Sequence, residues 1–248
     1  MKHVEVCTDS YLSAIMAQVA GATRIELCAA ASLPEGGTTP TPSLIQMAQG
    51  ELVDTKLYVL IRPRGGDFLY DDREFEMMQS DIHMCGKLKC DGVVIGMLNS
   101  DGTIDTAQCR ELVDIAKSYA MGVTFHRAFD RCADLFQGLE DAISLGCERI
   151  LTSGGKNTAI EGAPIIKQLI DRADGRISIM PGAGLTPENV AELIRQTGAN
   201  EVHGTFRSLR PSRMTYRNTA LGNPEQEYNV WWADLDKVRK VVDIVSRI

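Results

Sequence analysis

His3-Val4-Glu5-Val6-Cys7 and Arg24-Ile25-Glu26-Leu27-Cys28 share one pattern, in which aliphatic residues alternate with a glutamate and then a cysteine. A period of two over five residues is a β-strand with one apolar face. Six further short runs continue the series: 57–61, 92–96, 122–126, 149–153, 177–181 and 201–204. The eight runs begin between residues 3 and 201, a mean step of about 28 residues, enough for one strand, one helix and two short loops. Amphipathic stretches fill the gaps at 72–88, 105–119, 134–145, 158–172 and 187–197, with a last one at 234–247. Side-chain caps mark where helices begin: Asp71 with Glu74, Asp105 with Gln108, Asp134 with Gln137, and Thr186 followed by Pro187 as a first helical residue. Strand and helix alternating eight times predict an α/β fold of the (β/α)8 or TIM-barrel type, a single domain over residues 1–248. Residues 205–233 are expected to be a long loop before the last helix. A doubly wound open sheet is the alternative.

Composition narrows the function classes. Of 248 residues, 44% are hydrophobic and 24% charged, which supports a sizeable core. The net charge of −7 argues against a nucleic-acid partner. No apolar run of 18 residues predicts a membrane span, and Glu5 and Asp9 interrupt any apolar leader at the N-terminus, so a cytoplasmic location is expected. Seven cysteines, an odd number scattered along the chain, read as reduced thiols rather than a disulfide framework.

Helices cover the outside of a barrel, so the aliphatic residues of each strand should face outward and the alternate set should face the axis. That sorting sends Val4, Val6, Ile25, Leu27, Val59, Ile61, Val123, Phe125 and Val202 to the outside. It leaves Glu5, Cys7, Glu26, Cys28, Thr124, His126, Glu201 and His203 inside, with Arg62 at the end of the third strand. Strands four, six and seven are too uniformly apolar to sort. Carboxylates at a barrel centre need partners, because an unpaired buried charge costs several kcal/mol. The bland explanation is a satisfied network in which Arg62 pairs with one glutamate and the histidines cap others. The sharper one is an active or metal site.

Cys7 and Cys28 end neighbouring strands about 4.8 Å apart and direct both thiols toward the barrel mouth. Two thiolates suit Cu(I); Zn(II) would want two more ligands, for which His203 and a glutamate are candidates. A matched pair of buried small residues, needing no metal, is the structural alternative. The other features point to a small anion. Gly182-Ala183-Gly184 follows the seventh strand and Gly204 ends the eighth, where barrel loops commonly bind phosphate through backbone N–H groups. Arg62 and Arg64 would add guanidinium groups at the same mouth. Arg207, Arg210, Arg213 and Arg217 form an arginine-rich stretch, placed either at the mouth or at a subunit contact.

Several of these motifs belong together: EVC at 5–7, RIELC at 24–28, EGGTTPT at 35–41, IRPRGGDFLY at 61–70, TFHRAFD at 124–130, ILTSGG at 150–155, GAG at 182–184 and EVHG at 201–204. The chain resembles the CutC family, named for copper homeostasis, from about residue 4 to residue 218, and the tail after Thr219 matches no pattern of it. The resemblance implies a (β/α)8 barrel and a cytosolic role in copper tolerance or trafficking. It also implies Cu(I) ligands at the strand-end positions occupied by Cys7 and Cys28.

Two functions are therefore expected. One is a cytosolic copper homeostasis protein holding Cu(I) through Cys7 and Cys28. The other is an enzyme on a small phosphorylated or carboxylated substrate, with Glu5, Glu26, His126 and His203 in acid/base roles and Arg62, Arg64, Gly182, Gly184 and Gly204 holding the anion. A homodimer or homotetramer is expected in either case.

Overall fold

Eight parallel strands, each followed by a helix, form the body of the protein, and the computed structural model describes residues 2–223 and 227–248. The strands are β1 (His3–Thr8), β2 (Arg24–Leu27), β3 (Lys56–Leu60), β4 (Gly92–Ile95), β5 (Gly122–Phe125), β6 (Arg149–Thr152), β7 (Ser178–Pro181) and β8 (Glu201–Gly204). The helices are α1 (Tyr11–Val19), α2 (Pro42–Glu51), α3 (Asp72–Lys87), α4 (Thr106–Ser118), α5 (Leu135–Leu145), α6 (Ala163–Ala173), α7 (Val190–Thr197) and α8 (Leu235–Arg247). Parallel ladders run in order from β7 back to β1 and on to β8, and β7 lies against β8 across the remaining seam. The fold is a single-domain TIM barrel.

The period-two reading of the strands holds in three dimensions. Val4, Val6, Ile25, Leu27, Val59, Ile61, Val123, Phe125 and Val202 are buried in one apolar layer between the sheet and the helices. That layer carries the hydrophobic stabilisation, at roughly 25 cal/mol per Å² of apolar surface removed from water. Cys7, Cys28, Tyr58, Leu60 and Val94 form a separate small apolar cluster on the inner side.

Helix starts follow the cap chemistry at three of four sites. Asp71 and Glu74 make a reciprocal capping box, and the carboxylates of Asp105 and Asp134 accept from the backbone N–H of Gln108 and Gln137. Thr186-Pro187 does not open the seventh helix. The backbone N–H of Thr186 donates to Asn189 Oδ1 in a turn, and α7 begins only at Val190. The helix expected at 158–172 likewise starts later, at Ala163, because 154–162 turns under the barrel mouth.

Residues 205–233 are not one long loop. They contain an antiparallel ribbon of β9 (Arg207–Pro211) and β10 (Asn229–Ala233), with Arg210 opposite Val230 and Arg207 opposite Ala233. Arginine and aromatic residues supply its cross-strand contacts: Arg207 lies over Trp231 at 4.5 Å, Arg210 over Trp232 at 5.0 Å and Arg217 over Tyr228 at 5.4 Å. The N–H of Ala233 donates to Ser13 Oγ, which ties the ribbon to α1.

Candidate functional site

The barrel interior is built in two polar levels, set by strand register. At the lower level Glu5 on β1 is the ladder partner of Arg24 on β2 and of His203 on β8. Arg24 donates to the carboxylates of Glu5 and Glu201. Arg149, at the start of β6, donates to Glu201 (3.1 Å), Thr124 Oγ1 (3.1 Å) and Glu148 (3.1 Å). Both guanidinium groups stack on the Tyr58 ring, at 5.3 and 5.1 Å. Burial works to raise the Glu5 pKa, but the Arg24 charge and the His203 hydrogen bond outweigh it and hold the carboxyl down at about 2. Burial likewise opposes ionisation of Glu201, and Arg24 and Arg149 keep that carboxyl below the usual range.

These contacts revise the expected pairing. Arg62 does not neutralise a buried glutamate; Arg24 and Arg149 do. Arg24 was legible, since it shares the inward parity of Glu26 and Cys28, whereas Arg149 opens a strand whose apolar run hides its parity.

The upper level faces the mouth. His203 places Nδ1 2.7 Å from Glu5 Oε1 and Nε2 3.6 Å from Glu26 Oε2. Burial disfavours the imidazolium, yet the two flanking carboxylates raise the His203 pKa well above its ordinary value. Glu26 moves the other way for a carboxyl: burial raises its pKa despite the attraction of His203. Cys7 is the ladder partner of Glu26, and its Sγ lies 3.6 Å from Cys28 Sγ. The hydrogen bond to Cys28, then burial, push the Cys7 thiol well up. The Cys28 thiol is lowered by its bond to Cys7 but raised more by burial and the nearby Glu26 charge. Both cysteines are therefore neutral thiols at neutral pH. One ligand atom from each of Cys7, Glu26 and Cys28 lies within 4.8 Å of the others, and all three residues are buried.

Gly37 seals this corner. It holds φ at +85°, and a Cβ there would meet Leu60 at 2.6 Å and Cys28 Sγ at 2.9 Å, so only glycine lets the EGGTTPT loop close over Cys28. The same loop is pinned by Arg62, which donates to the carbonyls of Glu35 (2.7 Å), Gly37 (2.8 Å) and Gly66 (2.9 Å).

Above the cysteines opens a cavity of about 530 Å³, lined among others by Cys7, Glu26, Arg62, His126, His203 and Gly184. Gly204 also lines it, but Gly182 and Arg64 do not. Gly182 donates its N–H to Thr152, extending the β6–β7 ladder, and Arg64 is engaged by Glu74 and Asp67 at the rim. On the opposite wall Asp130 accepts from the N–H groups of Ser153 and Gly155 and from Arg127 Nε. The TFHRAFD and ILTSGG blocks are thereby one unit, a coupling between distant segments that strand periodicity does not carry.

The CutC family profile matches residues 2–208. The chain belongs to the CutC family. A CutC protein of Parabacteroides distasonis is 45% identical over 243 residues, covering 96% of this chain and 98% of the relative. The copper homeostasis protein cutC homolog of Mus musculus is 46% identical over 249 residues, covering 99% of this chain and 90% of the relative. A crystal structure of CutC from Streptococcus agalactiae superposes with a TM-score of 0.78 at 35% identity, covering 83% of this chain and 99% of that one. Both polar levels lie inside the CutC match, and the ribbon's second strand, β10, lies beyond it.

Proposed function

We propose that this CutC-family protein serves copper homeostasis by taking up one Cu(I) ion through Cys7 and Cys28, with Glu26 as an auxiliary donor. The observation that carries the reading is the 3.6 Å separation of two buried sulfurs beside a buried carboxylate. Metal–thiolate bonds of about 2.3 Å let one ion touch sulfurs up to roughly 4.6 Å apart, so the pair fits a single soft ion without rearrangement of the barrel. The donors are thiols rather than hydroxyls, and Leu60 and Val94 pack beside them in an apolar cluster, both of which favour Cu(I) over harder cations.

Binding replaces two S–H bonds by two metal–sulfur bonds and releases two protons. His203, held as an imidazolium between Glu5 and Glu26, compensates the negative charge that two thiolates bring. Further support comes from the names of relatives, two of which are copper homeostasis proteins. All seven cysteines are free, the state that a reducing cytosol maintains. The cellular test is complementation. A copper-sensitive strain lacking its own CutC protein should regain tolerance with the wild-type chain and not with Cys7→Ser/Cys28→Ser at equal abundance. Equal rescue by both would remove the reading.

A further inference from the structure

The lining of the mouth cavity carries buried donors that metal uptake does not use. His126 directly follows β5, and its Nδ1 accepts the N–H of Ala128 at 3.0 Å, so the ring hydrogen resides on Nε2. That Nε2 is buried and has no partner among the described residues. Burial, with the Arg62 charge beside it, lowers the His126 pKa to about 3, so the ring stays a neutral donor at any physiological pH. Arg62 Nε is a second buried donor without a partner among the described residues. The two groups flank Phe68, with the guanidinium 5.0 Å above that ring and the imidazole centroid 5.0 Å from it. A buried N–H without an acceptor destabilises the fold, and a ligand oxygen would relieve that cost.

Charge points the same way. In a chain of net −7, the cavity lining holds Arg62, Arg127, Arg131, Lys156 and Arg207 against Glu26, Glu35 and Asp130. Asp130 is committed to Arg127 and the 153–155 turn, while Lys156 and Arg131 make no ion pair among the described residues. Across from them Ala183 and Gly184 take consecutive positive φ values, +82° and +72°. For alanine that conformation is strained, because its Cβ crowds the backbone. Their carbonyls are fixed by Ala159 N–H and Asn189 Nδ2, while the N–H groups of Ala183, Gly184 and Leu185 donate to no group among the described residues. Successive free N–H groups in such a turn form an anion-binding concavity.

We infer that the mouth cavity binds a small organic oxyanion, a phosphate monoester or a carboxylate. Its charged group lies between the Ala183–Leu185 N–H groups and Lys156, and a further oxygen accepts from His126 Nε2. A cavity of about 530 Å³ accommodates a molecule of metabolite size. Its donors are different residues from the copper ligands, although Cys7 and Glu26 line the same cavity.

The test is calorimetric titration, with thermal shift, of the metal-free full chain at constant ionic strength, using inorganic phosphate, 2-phosphoglycolate and malonate as probes and chloride as control. At least one oxyanion should bind saturably, and 2-phosphoglycolate should bind more tightly than inorganic phosphate if the source is a phosphate monoester. Saturation by malonate alone assigns the site to a carboxylate. Lys156→Gln, at an exposed position that leaves the fold intact, should weaken binding about tenfold for every probe that binds. His126→Asn keeps an acceptor for Ala128 N–H but lacks the distal donor; it should weaken 2-phosphoglycolate or malonate about tenfold while sparing inorganic phosphate. Arg176→Gln, on the outer surface beside Glu140, should change nothing. No saturable binding of any probe, or affinities unchanged in both Lys156→Gln and His126→Asn, would overturn the inference.

Discussion

Cys7 and Cys28 sit diagonally across the β1–β2 ladder with their sulfurs 3.6 Å apart, because the register places Glu26, not Cys28, directly opposite Cys7. Glu26 thus acts on both sulfurs: its charge helps hold each thiol protonated, and one of its oxygens lies within 4.8 Å of both sulfurs. A site with these properties holds its protons until a metal displaces them.

Metal affinity should therefore depend steeply on pH. Both thiol pKa values are raised, so each bound ion releases two protons and the apparent affinity should rise by up to about 100-fold per pH unit below them. A Cu(I) titration at pH 6, 7 and 8, corrected for the competitor's own protonation, measures the slope. A slope near tenfold per unit would mean that only one cysteine binds as thiolate.

The Arg24 network should be the most sensitive stability element of the interior. Arg24→Ala leaves Glu5 and Glu201 buried without their shared partner, a loss of about 3–5 kcal/mol. For a chain of this size that corresponds to a fall in Tm of roughly 6–20 °C. A fall of less than 2 °C or so in differential scanning calorimetry would show that water or local relaxation replaces the guanidinium.

Acid should unfold the protein in two overlapping windows. Glu5 has a folded pKa of about 2, below its ordinary 4.5, so its stabilisation is complete above pH 4.5 and is lost as the pH falls through 2. His126 is held neutral down to about pH 3, whereas the unfolded chain takes up that proton near 6.5, so stability also declines as the pH falls from 6.5 through 3. His203 has the opposite sign: its raised pKa stabilises below 6.5, and that contribution disappears as the pH rises through the folded value. Glu26, also raised, contributes below 4.5 and loses its effect as the pH climbs through its folded pKa. Urea unfolding of wild type against His126→Asn cancels every term but one. The wild type should lose more stability than the variant between pH 6.5 and 3; parallel curves would contradict the assignment.

Arg62 should govern the order of two loops rather than any buried carboxylate. Its guanidinium bonds three carbonyls, of Glu35, Gly37 and Gly66, in a planar fork that an ammonium cannot reproduce. In Arg62→Lys, hydrogen exchange at residues 33–39 and 64–68 should accelerate at least tenfold while the β-strands keep their protection. Uniform acceleration across the barrel would instead indicate a global loss of stability.

The sequence makes the barrel legible because a parallel strand covered by helices alternates visibly whenever its inner face is polar. Strands β1, β2, β5 and β8 meet that condition, and the inward positions of Glu5, Cys7, Glu26, Cys28, Thr124, His126, Glu201 and His203 follow from it. Strands β4, β6 and β7 do not, and Arg149 with its bond to Glu201 was hidden there. Arg62 misled for a different reason: a guanidinium beside carboxylates suggests an ion pair, but backbone carbonyls compete for it, and a tight glycine loop presents them at close range. The β9–β10 ribbon escaped because both of its faces mix polar and apolar residues and depend on Arg–Trp stacking across the ladder rather than on aliphatic periodicity. The contact of Asp130 with the 153–155 turn belongs to neither segment alone, so no local pattern announces it.

The central claim is that Cys7 and Cys28 form one soft-metal site. Its most direct test is an anaerobic Cu(I) titration of the metal-free protein against a chromophoric competing chelator, comparing wild type with Cys7→Ser/Cys28→Ser and repeating both with Zn(II). The account predicts one Cu(I) per chain, bound at least a hundredfold more tightly than in the double variant, with weaker Zn(II) binding. Equal Cu(I) affinity in the two proteins would contradict it and leave the oxyanion cavity as the functional centre of the barrel.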